Sequence, residues 1–399
     1  MKDLILTVNV PFCMSRCSFC SKNIHVSSKA TRDAYSEALL RELASVQDEL
    51  SEYRLRALYF SGGTPTLLAE RQLPMLAHEI QKRANLAEDF ELTVATNPGC
   101  IGINVLSRLK DYRLSRIEFT LASVDRIEQD ILDRHFGEEE MYVSRQILEF
   151  GQMENFSVDI LRGQPGQQQA NMRSLVESAL AFAPPSIAMY PLRYAENTPL
   201  HRKLTFREGR TIPNVFYRKL PDREVMLESF VLAEELLVTE GLQPYTEYHY
   251  AKPAFRSLYH RLVRTGIDRI GLGLGGVTSS DGLLIRNTDD LNAYIRHAGD
   301  PAHTLTEIRK LRPEEQMVEY ITGRLGLLEE FSPAKCRDRF GCAPENEVMD
   351  SLAEMGLLAE SAACWSLTQA GRCFAQEVFS RLGQKAISDP SHCQYNQQT

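Results

Sequence analysis

The sequence predicts an α/β fold: an open, partial (β/α)6 barrel of parallel strands, followed by an extension and a small C-terminal helical module. Three observations predict it. Short apolar segments alternate with helical patterns through the first half of the chain. Each of six strand candidates is followed by a helix, which implies parallel strands joined by right-handed crossovers. Polar and glycine-rich motifs recur just after the strands, where ligands bind in such folds.

The strand candidates are 4–10, 56–61, 90–97, 116–123, 156–161 and 186–192, each short, apolar and rich in β-branched or aromatic residues. The helical patterns between them cover 31–53, 70–83, 103–112, 125–153 and 168–183. Residues 1–193 thus form the expected barrel. Over 194–305 the pattern loosens: a mixed loop at 198–220, an amphipathic helix at 222–240, a tyrosine-rich stretch at 244–253 and a glycine-rich one at 270–278. This reads as an extension over the substrate side. Residues 306–383 read as a helical module, with helices at 313–327, 333–339, 346–355 and 366–382 and a hairpin near 357–367, in a winged-helix-like order. The last stretch, 384–399, is polar and expected to be disordered.

Composition narrows the function classes. The 399 residues suffice for two or three domains, and 43 % hydrophobic with 25 % charged residues is ordinary for a globular protein. A net charge of −8 with dispersed Lys and Arg gives no reason to expect nucleic acid. No apolar stretch has the length of a membrane span, and the apolar N-terminal run leads into a cysteine loop. The expected location is cytoplasmic.

That loop is the most informative segment. Cys13, Cys17 and Cys20 stand as Cys-x3-Cys-x2-Cys in VNVPFCMSRCSFCSKN, immediately after the first strand. Thiolates suit iron–sulfur clusters. Three ligands on a 4Fe-4S cubane leave one iron free to chelate the amino and carboxylate groups of S-adenosylmethionine (SAM). An electron from the cluster can then break a C–S bond and release a 5′-deoxyadenosyl radical. A zinc site would want a fourth ligand, usually from a second Cys pair, and the remaining cysteines lack that spacing. A structural disulfide would leave one of the three unpaired. The other six cysteines read as small apolar residues.

The second strand ends in Ser61-Gly62-Gly63-Thr64-Pro65-Thr66, and the third in Asn97-Pro98-Gly99. Adjacent glycines let backbone approach a ligand, or simply make a tight turn. Beside the cysteine loop, Gly62, Gly63, Thr64 and Asn97 become candidates for seating SAM. The fifth strand carries Asp159 and Arg162, read either as a clamp on SAM or substrate or as a barrel-end salt bridge. Tyr245, Glu247 and His249 would share one face of a strand, with Tyr248 and Tyr250 on the other. Tyr245 and Glu247, with Asp159 and Arg162, are candidate catalytic residues; tyrosine packing on a half-exposed strand is the alternative.

VPFCMSRCSFC, SGGTPT, TNPG, DILRGQPGQ, and EYHYAKP followed by IGLGLGG occur in that order. With these motifs the chain resembles the radical SAM enzymes related to oxygen-independent coproporphyrinogen III oxidase, over most of its length. That family includes coproporphyrinogen dehydrogenases, haem chaperones, haem-degrading enzymes, and class C methyltransferases and cyclopropanases, the last binding two SAM molecules. The resemblance implies a 4Fe-4S cluster on Cys13, Cys17 and Cys20, one SAM or two, a small-molecule substrate, and an electron donor such as flavodoxin or ferredoxin. Several positions depart from the family pattern. Thr7 and Asn9 replace a tyrosine and a histidine before the cluster loop. Ala95 replaces a glutamate that helps hold SAM, and Ala122 replaces the glutamine that contacts a second SAM. His260 lies close in register to a histidine element of the haem chaperones, without its Tyr-Trp pair. These departures from the porphyrin-associated residues favour methyl or methylene transfer in a specialised biosynthetic pathway. The alternatives are a haem chaperone or porphyrin-modifying enzyme, and a single-SAM radical oxidation or rearrangement.

Overall fold

The structure is a computed structural model that describes residues 1–205 and 220–384. The loop expected over 198–220 and the polar tail therefore fall largely outside the described residues. Six strands run as the sequence implies: β1 (Lys2–Val10), β2 (Tyr53–Gly62), β3 (Asn85–Thr96), β4 (Leu114–Leu121), β5 (Phe156–Arg162) and β6 (Ser186–Pro191). They lie side by side in chain order and all pair in parallel. Their C-terminal ends therefore share one edge, with Val10 beside Gly62, Thr96 beside Phe119 and Asp159 beside Ala188. The central strands alternate: Leu92, Val94, Ile117, Phe119, Val158 and Ile160 join the apolar core shared with the helices, while Glu91, Arg116, Glu118 and Asp159 take the other face of the sheet. Helix Gln72–Arg83 shows how the outer layer attaches: Leu73, Leu76, Ala77 and Ile80 are all buried, one stripe at helical spacing.

The sheet does not stop at six strands. β7 (Gln243–Pro244) and β8 (His249–Ala251) add antiparallel to β6, and β9 (Asp268–Gly273) pairs in parallel with β1. β10 (Val277–Ser280), β11 (Leu283–Asn287) and β12 (Leu305–Lys310) continue that side as an antiparallel meander. The described residues form one open sheet of 12 strands, not a closed barrel. These late strands are two to six residues long, too short for any periodicity to announce them. Pairing with existing sheet edges is what makes them strands. A small separate core carries the C-terminal helices around Phe331, Leu352, Trp365 and Val378, with the hairpin β13 (Leu358–Ser361) and β14 (Cys364–Leu367).

Two long helical patterns are each broken in two. The 31–53 pattern becomes Lys29–Ser45 and Gln47–Ser51, with Tyr53 opening β2. The 125–153 pattern becomes Arg126–Leu132 and Glu138–Phe150, interrupted where Asp133 adopts a left-handed conformation (φ 48°). The second break shapes the site described below.

Helix Lys29–Ser45 buries a glutamate. Glu42 accepts hydrogen bonds from the Gly273 backbone (2.8 Å), the Tyr294 hydroxyl and the Asn287 amide, tying the helix to β9. Burial pushes this carboxyl from 4.5 up to about 6, against the pull of those three donors. The folded state therefore holds the proton more tightly than the unfolded chain. Its stabilising contribution is complete below pH 4.5 and is lost as pH rises through about 6. The full loss is about 2 kcal/mol, of which about 1 kcal/mol falls between pH 5 and pH 7. Urea denaturation at pH 5 and pH 7 should show it, and Glu42→Gln should flatten it; an unchanged slope in that variant would assign the effect to other groups.

Candidate functional site

The cysteine loop is anchored at three points by backbone bonds. His25 pairs across it with Pro11 (2.7 Å) and Cys13 (3.2 Å). Ser18, wholly buried, donates from its backbone to Leu132 and from its hydroxyl to Ile131, both at 2.8 Å. Leu200 donates back to Ser18. Cys13, Cys17 and Cys20 stay free and half-buried. They lie near enough that the Cys20 and Cys17 thiolates add to burial in raising the Cys13 pKa. Among the described residues no three Cys, His, Asp or Glu side chains gather as one metal ion needs. A cubane asks for a different arrangement, since each thiolate binds a separate iron.

The end of β2 is shaped around this loop. Gly63 and Thr64 donate from their backbones to Val10 and Phe12, at 2.8 and 2.6 Å. A Cβ on Gly62, whose φ is +106°, would fall on the Asn9 side chain, and one on Gly63 would lie 2.4 Å from the Phe12 carbonyl and 2.9 Å from the Cys13 sulfur. Gly62 is thus required by the close approach of the end of β1, and Gly63 by that of the cysteine loop. Gly63→Ala should cost about 1–3 kcal/mol by overpacking and displace Cys13. The check is iron bound per chain after reconstitution, which should fall while the circular dichroism stays native.

A cavity of about 240 Å³ opens beside the loop at the C-terminal ends of the strands. Phe19, Cys20 and Lys22 form its loop side, and Gly62, Gly63 and Asn97 its rim. Tyr59, Asp159, Tyr190 and Tyr248 line it from β2, β5, β6 and the bend before β8. Burial, with the Glu118 charge close by, pushes the Asp159 carboxyl well above the usual carboxylate range. Burial lowers the Lys22 ammonium pKa, and the Cys20 and Cys13 thiolates offset part of that. A second cavity of about 440 Å³ shares Ser21, Lys22, Ser61 and Gly62 with the first and is bordered by Arg16 and Arg286.

Of the residues singled out in the sequence, one group converges. Asn97 donates to the Thr64 hydroxyl (2.7 Å), and Thr64 lies 3.7 Å from the Cys13 sulfur. Gly62, Gly63, Asn97 and Asp159 line one cavity. Others point elsewhere. Arg162 does not pair with Asp159; it is buried over the Phe230 ring and bonds the Cys373 carbonyl, tying β5 to the C-terminal module. Glu247 is closed off by a two-pronged ion pair with Arg264 (2.8 and 2.6 Å). The Tyr245 hydroxyl accepts from the Ser257 backbone (3.3 Å). Residues 245–248 form a bend between β7 and β8, so the strand alternation expected there does not run. Neither Tyr245 nor Glu247 lines the 240 Å³ cavity. His260 is 2 % exposed and bonds Glu118 at 2.8 Å, behind the sheet's polar interior.

Nothing in the sequence marks Arg134 as part of the site. It sits in the break after Asp133, with one guanidinium nitrogen 3.5 Å from the Cys17 sulfur and another on the Asn97 side chain (2.5 Å) and the Thr120 carbonyl (2.9 Å). Its Nε is buried without a partner. The only signal was a basic residue inside a long helical pattern, which gives no hint of a break.

The loop, the glycine cradle and the cavity at the strand ends define the class. Residues 9–179 match the radical SAM superfamily, a family that implies a 4Fe-4S cluster and SAM. The chain as a whole is similar to the haem chaperone HemW of Escherichia coli K12, 25 % identical over 387 residues, covering 95 % of this chain and 97 % of that one. HemW of Bacillus subtilis 168 is 25 % identical over 382 residues, with 93 % and 97 % covered. Coproporphyrinogen III oxidase (HemN) of E. coli shares the fold, with a TM-score of 0.80 at 18 % identity over 96 % of this chain and 90 % of that one. No helix among the described residues is long and apolar enough to cross a membrane.

Proposed function

We propose that this protein is a haem-related member of the radical SAM proteins, binding haem or a similar tetrapyrrole beside a cluster held by Cys13, Cys17 and Cys20. The observation that carries this is the end-to-end similarity to haem chaperones. It favours the haem-related alternative over the methyl or methylene transfer that the sequence departures suggested. Arg16 and Lys22 on the border of the 440 Å³ cavity suit the carboxylate arms of such a ligand; Arg286 there is paired with Glu307 (3.3 Å), and Asp289 also lines the cavity. His260, sealed on Glu118, is not available to a haem iron.

When bound, the cluster supplies the electron that cleaves SAM. In this reading Gly62 and Gly63 offer backbone to the SAM amino group. Arg134 does not line the cavity; through Asn97 on the rim and Cys17 on the loop it would position the groups that hold SAM. A single SAM is favoured, because Ala122 is 1 % exposed and packed among Leu132, Leu161, Leu192 and Leu200. That apolar cluster stands where a second SAM would need a polar contact. A flavodoxin or ferredoxin is the proposed electron donor.

The test pairs two anaerobic measurements on reconstituted protein: haem titration followed at the Soret band, and 5′-deoxyadenosine with S-adenosylhomocysteine after reduction with dithionite. Saturable stoichiometric haem binding is expected. No haem binding, with S-adenosylhomocysteine formed beside 5′-deoxyadenosine, would return the protein to carbon transfer.

A further inference from the structure

Three tyrosines line the 240 Å³ cavity, and the hydroxyls of two of them, Tyr59 and Tyr190, are wired in opposite senses. Tyr59 donates to the Glu118 carboxylate at 2.9 Å, so its proton is already committed. Tyr190 lies 2.9 Å from Nε2 of His249, and which of the two donates depends on the imidazole tautomer. That tautomer can be read from the next residue in the chain of bonds. The Thr246 hydroxyl accepts from two backbone N–H groups, those of Tyr248 (3.3 Å) and His249 (3.1 Å). A hydroxyl oxygen has two acceptor positions and one proton. With both positions filled, the Thr246 proton goes to Nδ1 of His249, 2.7 Å away. A neutral imidazole that accepts at Nδ1 carries its hydrogen on Nε2.

His249 is neutral because burial, then the neighbouring His260, Arg264 and Arg116, drive its pKa well below the ordinary value. Nε2–H therefore donates to Tyr190, which is left with its own proton. Among the described residues the His249 ring is the only hydrogen-bond partner of the Tyr190 hydroxyl. We infer that Tyr190 is a fixed hydrogen-bond donor that selects ligands presenting a carbonyl or carboxylate oxygen to this wall of the cavity. Thr246 and His249 are positioning residues: they never touch the ligand, but they set the direction of the proton that does. The inference does not depend on which substrate the protein handles.

Nitrogen-15 NMR of histidine-labelled full-length protein tests the first half, with the His249 signals assigned from a His249→Gln sample. Wild type should show the Nε2–H tautomer, and Thr246→Val should lose that preference while Thr246→Ser keeps it. An Nδ1–H tautomer in wild type overturns the inference, since Nε2 would then take the Tyr190 proton away from the cavity. The second half uses sodium propionate as the probe, followed at the ring carbon signals of Tyr248, whose ring lies 5.4 Å from that of Tyr190. Propionate should bind wild type and bind Tyr190→Phe about tenfold more weakly, the scale of one hydrogen bond to a charged acceptor. Equal affinity, or no binding to wild type, overturns the assignment. Tyr190→Phe keeps the ring and removes only the hydroxyl, and native circular dichroism of that variant makes this arm stand even if Thr246→Val fails to fold.

Discussion

Alanine at Cys13, Cys17 and Cys20 together is expected to reduce bound iron to background and to abolish reductive cleavage of SAM, with the fold intact. In the proposed reading the chemistry rests on the three thiolates, and the described residues offer no substitute gathering of Cys, His, Asp or Glu. The loop itself should survive. Its anchors are backbone bonds from Cys13, Ser18 and His25 and the Ser18 hydroxyl bond to Ile131, none of which uses a cysteine sulfur. Iron and sulfide content, 5′-deoxyadenosine yield and the far-ultraviolet circular dichroism separate the two effects. Residual SAM cleavage in the triple variant would remove the cluster assignment. Loss of helical signal would instead show that the metal holds the loop and its neighbours together.

Arg116→Met is expected to destabilise the protein by about 3–5 kcal/mol. Arg116 is 0 % exposed and satisfies four neighbours at once. It donates to Glu118 (2.8 Å), Asn155 (3.0 Å), the Phe255 carbonyl (3.1 Å) and the Ser186 hydroxyl. Burial pushes the Glu118 carboxyl up, but His260 and Arg116 outweigh it and hold it well below the usual carboxylate range. Without the guanidinium, a buried carboxylate keeps only the Tyr59 and His260 donors, and three further acceptors lose theirs. Equilibrium urea denaturation gives the number. A double-mutant cycle with Glu118→Leu gives the coupling, because removing both charges should recover much of the loss. A single-variant cost under about 1 kcal/mol would mean that water or a rearranged neighbour replaces the guanidinium.

The network around Arg116 also shows why part of the site was hidden in the sequence. Arg116 and Glu118 come from β4, Tyr59 from β2, Tyr190 from β6, His249 from β8 and His260 from a short helix before β9. Their separations along the chain carry no period, and each alone is an ordinary polar residue. Only a shared sheet interior brings them within bonding distance, with the His249 and His260 rings 4.0 Å apart. Asp159 was found because it stands on a strand beside a recognisable motif. Tyr245, Glu247 and Arg162 drew notice for the same kind of reason, yet their partners are Ser257, Arg264 and Cys373, on other elements that no local pattern names.

What the sequence determined by itself is what short-range chemistry dictates. Alternating apolar and helical segments impose six parallel strands, the Cys-x3-Cys-x2-Cys spacing places three thiols on one loop, and the paired glycines mark where backbone must approach it. Tertiary structure decided the rest. It extended the sheet with strands too short to declare themselves, broke a helix at Asp133 to bring Arg134 to Cys17, and set the tautomer of His249 through Thr246. The reason is physical: a motif is written in neighbouring residues, whereas burial, hydrogen-bond direction and charge depend on what the folded chain places alongside them.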